Sequence, residues 1–286
     1  MRPLERVAVL GAGTMGHGIA QVCAAAGCDV VLHDPDRAAR ERGLDRIREN
    51  LDKGVSLGKV PPEEREATLR RLRTSASQAD AVADADLVVE AAPESLDLKR
   101  RIFGDIDASA PAHALLATNT SSLSISEIAE VVTNPARFLG LHFFNPVHLM
   151  QLVEVVRGRL SSDEATTAAA DFVRTLGKEP VVVADAPGFA SSRLGIALGM
   201  EAIRMVEEGV ASPEDIDRVM VLGYRHPVGP LKLTDLVGLD VRLHIAEYLH
   251  RTLGTEGFRP PDLLRRMVAE GKLGKKSGRG FYRWDE

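Results

Sequence analysis

Two side chains in this chain of 286 residues are of types that move protons and stand where burial would sharpen their chemistry. His142 ends the apolar run Leu139-Gly140-Leu141, and Glu154 interrupts Leu152-Val153-Glu154-Val155-Val156. An imidazole is the side chain suited to take a hydroxyl proton near neutral pH. A carboxylate inside an apolar strand needs a partner if it is buried. The short segment 146–150 can fold the flanking strands into an antiparallel hairpin. A turn centred on His148 then sets residues 142 and 154 opposite each other, with Cβ atoms about 4.5–5.5 Å apart. A carboxylate in that place fixes the imidazole tautomer, as the acid does in hydrolase triads. The competing arrangement turns Glu154 outward on an edge strand and leaves His142 a structural strand-end histidine.

A second group of residues reads as a cofactor site. Val7-Ala8-Val9-Leu10 runs into Gly11-Ala12-Gly13-Thr14-Met15-Gly16 and then into an apolar helix, and a second strand, Val30-Val31-Leu32-His33, ends at Asp34. Gly11 permits a tight turn, Gly13 lets backbone approach a pyrophosphate, and Gly16 lets helix and strand pack closely. The pyrophosphate is expected on the free N–H groups of the helix start, over residues 11–16. Asp34 accepts hydrogen bonds from ribose hydroxyls and repels a 2′-phosphate, which favours NAD over NADP, with Arg37 close by as the opposing influence. Hydrolytic chemistry fits worse. There is no G-x-S-x-G elbow, Cys23 and Cys28 lie in or just after an apolar helix, and no metal-ligand spacing such as H-E-x-x-H occurs, so no metal is expected.

The elements that must position these groups are legible as β and α segments in alternation over the first 185 residues. Strands are expected at 6–10, 29–33, 86–90, 115–118, 137–143, 152–156 and 180–183, mostly separated by helices. That pattern predicts an α/β, Rossmann-like, mostly parallel doubly wound sheet. Three strand ends carry polar clusters: Glu90 to Glu94, Asn119 to Ser122, and His142 to Asn145. Ligands in open α/β sheets bind beyond such ends. The stretch 36–73 reads as a two-helix arm broken near Gly58 and Pro61-Pro62, with 11 basic and 8 acidic residues. It is either a solvated helix face or a landing surface for an anionic ligand. From Pro187 the strand signal disappears. Helices are expected at 188–208, 213–222, 235–253 and 261–270, with Gly209, Gly223, Gly254 and Gly271 as C-terminal caps. The domains are thus 1–185 and an all-helical 186–286. The helix at 188–208 is apolar on most sides, which suits a core or a subunit interface.

Composition limits the classes. A net charge of −5 with no long basic run disfavours nucleic acid as a partner. No stretch approaches the roughly 18 apolar residues of a membrane span, and the N-terminus lacks a signal-peptide pattern. Two cysteines that close cannot staple a fold of this size, so a cytoplasmic location is expected.

Taken in order, GAGTMG, LHDP, VVEAAPE, NTSSLSI, HFFNPVHLMQLVEVV, PGF…R, HPVGPLKLTDLVGLD and GKKSGRGFYRW resemble L-3-hydroxyacyl-CoA dehydrogenase over nearly the whole chain. More narrowly, they resemble the single-function bacterial 3-hydroxybutyryl-CoA dehydrogenases. The resemblance implies reversible oxidation of the 3-hydroxyl of an acyl-CoA by NAD, and an active site between an N-terminal Rossmann-like domain and a helical C-terminal domain that forms a homodimer. It puts the catalytic pair on His142 and Glu154, the active-site serine on Ser121 and a substrate-contacting asparagine on Asn145. Glu94 and Lys99 fall at the nicotinamide end of the cofactor, with Asn119, Ser121 and His142 beside them; Thr14 and Met15 fall in the pyrophosphate loop. Lys53 and Lys59 of the arm match candidates for the CoA phosphates. The family pattern PGFxxNR departs here to Pro187-Gly188-Phe189-Ala190-Ser191-Ser192-Arg193, so Ser192 replaces an asparagine at the reacting end of the substrate. Three rival readings remain: a dehydrogenase of a free hydroxy acid, one of a carrier-protein-bound 3-hydroxyacyl thioester, and a non-catalytic NAD-binding protein.

Overall fold

A computed structural model describes residues 3–284. The chain divides into two compact units, Met1–Asp185 and Ala186–Glu286.

The first unit is built on eight strands: β1 (Arg6–Leu10), β2 (Asp29–His33), β3 (Leu72–Ser75), β4 (Leu87–Glu90), β5 (Leu115–Thr118), β6 (Phe138–Phe143), β7 (Leu152–Arg157) and β8 (Glu179–Ala184). They form one sheet in the order β3-β2-β1-β4-β5-β6-β7-β8. Neighbours are parallel except β6 and β7, which are antiparallel. The first six strands follow the doubly wound dinucleotide-binding order. β1, β4, β5 and β6 are apolar almost throughout and buried, as strands covered on both faces must be. The helices are α1 (Gly16–Ala25), α2 (Arg37–Ser56), α3 (Pro62–Arg70), α4 (Gln78–Val82), α5 (Leu96–Asp107), α6 (Ile125–Ile128) and α7 (Asp163–Thr175). Asp36 starts α2 by accepting from Ala38 N at 2.9 Å, and Pro62 opens α3 at its first position.

The edge strand β3 departs from the sequence expectation. Leu72-Arg73 belong to it and not to the arm, which ends with α3. Its four residues are polar or half-buried and pair only with β2. A short charged edge of this kind resists pairing with other chains but shows no apolar alternation. Near the opposite ends of the strands, Asp86 is 2% exposed and receives Arg6 N at 3.0 Å, Arg6 Nη2 at 3.0 Å and His113 Nε2 at 3.2 Å. Burial alone would raise its carboxyl, but these hydrogen bonds outweigh it and hold the group at about 2.

The second unit contains α8 (Ser191–Glu207), α9 (Pro213–Tyr224), α10 (Pro230–Val237), α11 (Leu239–Leu253) and α12 (Asp262–Ala269). Ile196, Met200, Ile203, Leu231, Leu239, Leu249 and Leu264 form its core. The helix expected over 235–253 is two helices, because Gly238 adopts φ +107 between them and Pro230 starts the first. Gly223 lies inside α9; the left-handed position after that helix is taken by Arg225, φ +59. Gly209, Gly254 and Gly271 do hold left-handed positions beyond helix ends. Asp235 fastens the closing segment by accepting from Phe281 N, Tyr282 N and Trp284 Nε1, each at 2.9 Å. α8 buries one face and leaves Leu194 71% exposed.

Candidate active site

β1 delivers the chain into the glycine loop, and each glycine there meets a different constraint. Gly11 has φ +102, and a Cβ on it would fall 2.7 Å from Ala91 O. At Gly16 a Cβ would fall 1.7 Å from Gly11 O, so helix start and strand end touch through bare backbone. Gly13 has no atom within 4 Å of its Cβ position and is exposed, which leaves its backbone open to a ligand. Met15, at the N-terminal boundary of α1, makes no side-chain cap, and so the first N–H groups stay unclaimed by side chains there. Asp34, one residue beyond β2, accepts from Ala12 N at 2.9 Å and Asp36 N at 3.0 Å, tying the loop to the carboxylate. Arg37 is turned into an exposed pair with Glu41 at 2.8 Å. Loop, helix start and carboxylate together fit a dinucleotide.

The antiparallel register of β6 and β7 pairs His142 with Glu154. His142 Nδ1 lies 2.8 Å from Glu154 Oε2, with the two residues 5% and 1% exposed. An ionised carboxylate only accepts, so Nδ1 carries the proton and Nε2 is the basic nitrogen of the neutral ring. The ring also stacks at a tilt on Phe144, centroids 4.5 Å apart. Asn119, at the end of β5, accepts from Phe143 N at 2.8 Å and so braces the strand end beside His142.

The loop after β4 hangs on Glu94. Its Oε1 accepts from Thr120 Oγ1 at 2.6 Å and from Ser121 N at 3.0 Å, which brings Ser121 to this cluster. Lys99 is wholly enclosed. Its ammonium meets Glu90 at 2.8 and 3.0 Å and stands 3.7 Å from Glu94. Glu90, also fully buried, accepts from Thr118 Oγ1 at 2.6 Å and Ala92 N at 2.6 Å. A buried carboxylate holding this many donors pins the loop. The sequence places Glu90 and Thr118 at strand ends that carry polar clusters but assigns neither a role of its own; the signal for one is an acid ending one strand beside a threonine ending the next.

Asn145 is exposed in the turn between β6 and β7, and its bond to Pro146 is cis. That turn is held by Lys178, which no local pattern announced. Its Nζ donates to Val147 O at 2.6 Å and Met150 O at 2.7 Å, and burial pulls its ammonium below the usual lysine value. Val147 in turn presses on Gly18 of α1, where a Cβ would come 2.8 Å from Val147 Cβ. Partial loss of water lowers His148 first, and nearby positive charge adds to it. Lys53 lies exposed in the last turn of α2. Lys59 lies exposed in the loop between α2 and α3. Ser192 belongs to the second unit, half-buried in the first turn of α8. Cys23 and Cys28 are buried free thiols, and burial pushes Cys28 up to about 11. Among the described residues no group of three or more His, Cys, Asp or Glu could hold a metal ion, and no helix is long and apolar enough to cross a membrane.

A glycine loop on an open helix start, with an acid closing the next strand, makes the first unit the cofactor domain of an NAD-dependent oxidoreductase. Residues 6–186 match the NAD binding domain of 3-hydroxyacyl-CoA dehydrogenase, and residues 188–284 match its C-terminal domain. The chain belongs to the 3-hydroxyacyl-CoA dehydrogenase family and is an NAD-dependent enzyme of that class. It is 45% identical over 283 residues to the probable 3-hydroxybutyryl-CoA dehydrogenase of Bacillus subtilis, covering 99% of this chain and 98% of that one. The 3-hydroxybutyryl-CoA dehydrogenase of Bradyrhizobium diazoefficiens is 43% identical over 279 residues, covering 98% and 95%. Among solved structures, the (S)-3-hydroxybutyryl-CoA dehydrogenase of Ralstonia eutropha superposes with a TM-score of 0.94 at 41% identity, covering 99% of this chain and all of that one.

Proposed function

We propose that this enzyme interconverts the 3-hydroxy and 3-keto forms of a short acyl-CoA, with His142 as general base and Glu154 as its partner. The buried hydrogen bond of 2.8 Å between them carries the reading. In the oxidative direction His142 Nε2 takes the proton of the 3-hydroxyl, and Glu154 stabilises the imidazolium that forms. Bound NAD supplies the acceptor for the hydride that leaves C3. Gly11, Gly13, Thr14, Met15 and Gly16 are assigned to its pyrophosphate and Asp34 to its adenine ribose. Glu94, Asn119 and Ser121 are assigned to the nicotinamide end, which Lys99 supports from behind through Glu94 and Glu90. Ser121, Asn145 and Ser192 hold the reacting oxygen or the thioester carbonyl, Ser192 through a shorter side chain than the asparagine of the family pattern. Lys53 and Lys59 are assigned to the CoA phosphates. A homodimer formed through the helical unit is part of this reading, supported by the exposed apolar side chains Leu194, Leu222 and Tyr224.

The test is NADH oxidation by the purified protein with acetoacetyl-CoA, beside NADPH, free acetoacetate, the carrier-protein ester and the His142→Gln variant. Fast NADH-dependent turnover of the CoA ester, reduced by orders of magnitude in the variant while NADH binding persists, supports the reading. Equal turnover by the variant, or preference for the free acid or the carrier ester, overturns it.

A further inference from the structure

Asp185, the last residue of the first unit, is fixed to the sheet: its N–H extends the pairing of β8 with β7 by donating to Arg157 O at 2.9 Å. Its carboxylate accepts three hydrogen bonds from one short stretch of chain. Ile125 N reaches one oxygen at 3.1 Å, and Ser124 Oγ and Ser126 N reach the other at 3.0 and 2.8 Å. That stretch begins three residues after Ser121, so about 10 Å of chain at most joins the two. The nearer end of the same strap hangs on Glu94, which accepts from Ser121 N at 3.0 Å. Two carboxylates, Glu94 after β4 and Asp185 after β8, thus hold residues 121–126 from both ends.

The second anchor also sets where the strap lies on the sheet. Ile125 is fully buried, and a Cβ on Gly140 would stand 2.8 Å from Ile125 Cδ1. The bare backbone of Gly140 is the seat of Ile125, closed on the far side by Val156, whose Cβ that same atom would meet at 2.9 Å. Gly140 precedes His142 by two residues on β6, so the two share a face of the sheet about 7 Å apart along the strand. An Ile125 pinned in this seat through its own N–H fixes how far the strap reaches toward the imidazole. The short helix α6 has its own cap in Ser124, which accepts from Glu127 N at 3.3 Å.

We propose that Asp185 is a positioning residue that sets the Ser121 hydroxyl against His142. The proposal rests on the acyl-CoA reading and on the role of Ser121 within it.

The experiment is a double-mutant cycle on kcat for oxidation of 3-hydroxybutyryl-CoA by NAD, with a thermal melt of each variant. Asp185→Asn keeps the shape of the side chain, but an amide offers one oxygen where three donors arrive, and its NH2 group then faces a backbone N–H. It should lower kcat about tenfold, since a misplacement of about 1 Å can cost a hundredfold. In a Ser121→Ala background the same substitution should change kcat by less than about twofold, because the hydroxyl it displaces is gone. A role confined to stability lowers kcat by the same factor in both backgrounds. That result, or wild-type kcat in Asp185→Asn or in Ser121→Ala, overturns this proposal and leaves the acyl-CoA reading standing. A wild-type enzyme that does not oxidise 3-hydroxybutyryl-CoA overturns both. If Asp185→Asn melts below the assay temperature, Ser124→Ala, which removes one of the three bonds, goes through the same cycle. A loss that vanishes in the Ser121→Ala background supports the proposal, and no loss or an equal loss overturns it.

Discussion

Replacing Glu154 by glutamine tests the buried pair with almost no change in volume. His142 and Glu154 are 5% and 1% exposed, and their bonded atoms are 2.8 Å apart, so the charges that develop during the reaction face each other in a medium far less polar than water. With charge centres about 4 Å apart and an effective dielectric near 20, the attraction between imidazolium and carboxylate is about 4 kcal/mol. The neutral ground state draws little of this, because the imidazole is uncharged before proton transfer. Most of the loss therefore falls on the transition state, and kcat should drop about a thousandfold in Glu154→Gln. The amide can also present its NH2 group to Nδ1 and favour the wrong tautomer, which pushes in the same direction. Steady-state oxidation of 3-hydroxybutyryl-CoA by NAD gives kcat in the direction in which the ring gains its charge, NADH fluorescence gives cofactor affinity, and a thermal melt confirms the fold. A folded variant that binds NADH normally and keeps more than a tenth of wild-type kcat would show that Glu154 only satisfies a strand histidine.

Two further outcomes follow from groups outside the pair. Asp34→Asn keeps an acceptor for Ala12 N but removes the charge at the ribose; the NADH-over-NADPH ratio of kcat/KM should narrow by about tenfold, and an unchanged ratio would move the ribose elsewhere. Asp86, held at about 2 against an ordinary 3.8, contributes stability that is fully present above pH 4 and lost as pH falls through about 2. Its share is about 2 kcal/mol, so Asp86→Asn should flatten the fall of Tm between pH 4 and 2, and an equally steep fall in the variant would refute that share.

The parts of the molecule legible in the sequence were those whose physics is local. The glycine loop shows itself because three backbone constraints lie within six residues, Gly11 to Gly16. The pairing of His142 with Glu154 is legible because a short turn converts sequence distance into register, and Glu154 is out of place in an apolar run. Edge strand β3 is not, since Leu72-Arg73-Thr74-Ser75 has neither alternation nor burial and takes its form from β2. The break at Gly238 was hidden by apolar periodicity continuing from α10 into α11. Lys178 and Arg242 look like surface residues in sequence. What buries them is a turn some thirty residues away in one case and two glycines on another helix in the other.

Because Lys178 grips the carbonyls of residues 147 and 150 while Val147 rests on Gly18, the β6–β7 hairpin turn has a fixed length. An inserted residue would carry one carbonyl off the ammonium or lift Val147 from α1. Most surface connections tolerate such insertions, but this one has been taken out of the set of places where the chain can grow. Room for added length lies instead at the tip of the arm, where Gly58 is exposed and has nothing within 4 Å of its Cβ position. A library of loop insertions screened for activity would therefore sort by position, with tolerated lengths gathering near residue 58 and none between 143 and 152. Positions 18, 147 and 178 form one heritable unit, and a graft of the hairpin into another scaffold has to carry all three.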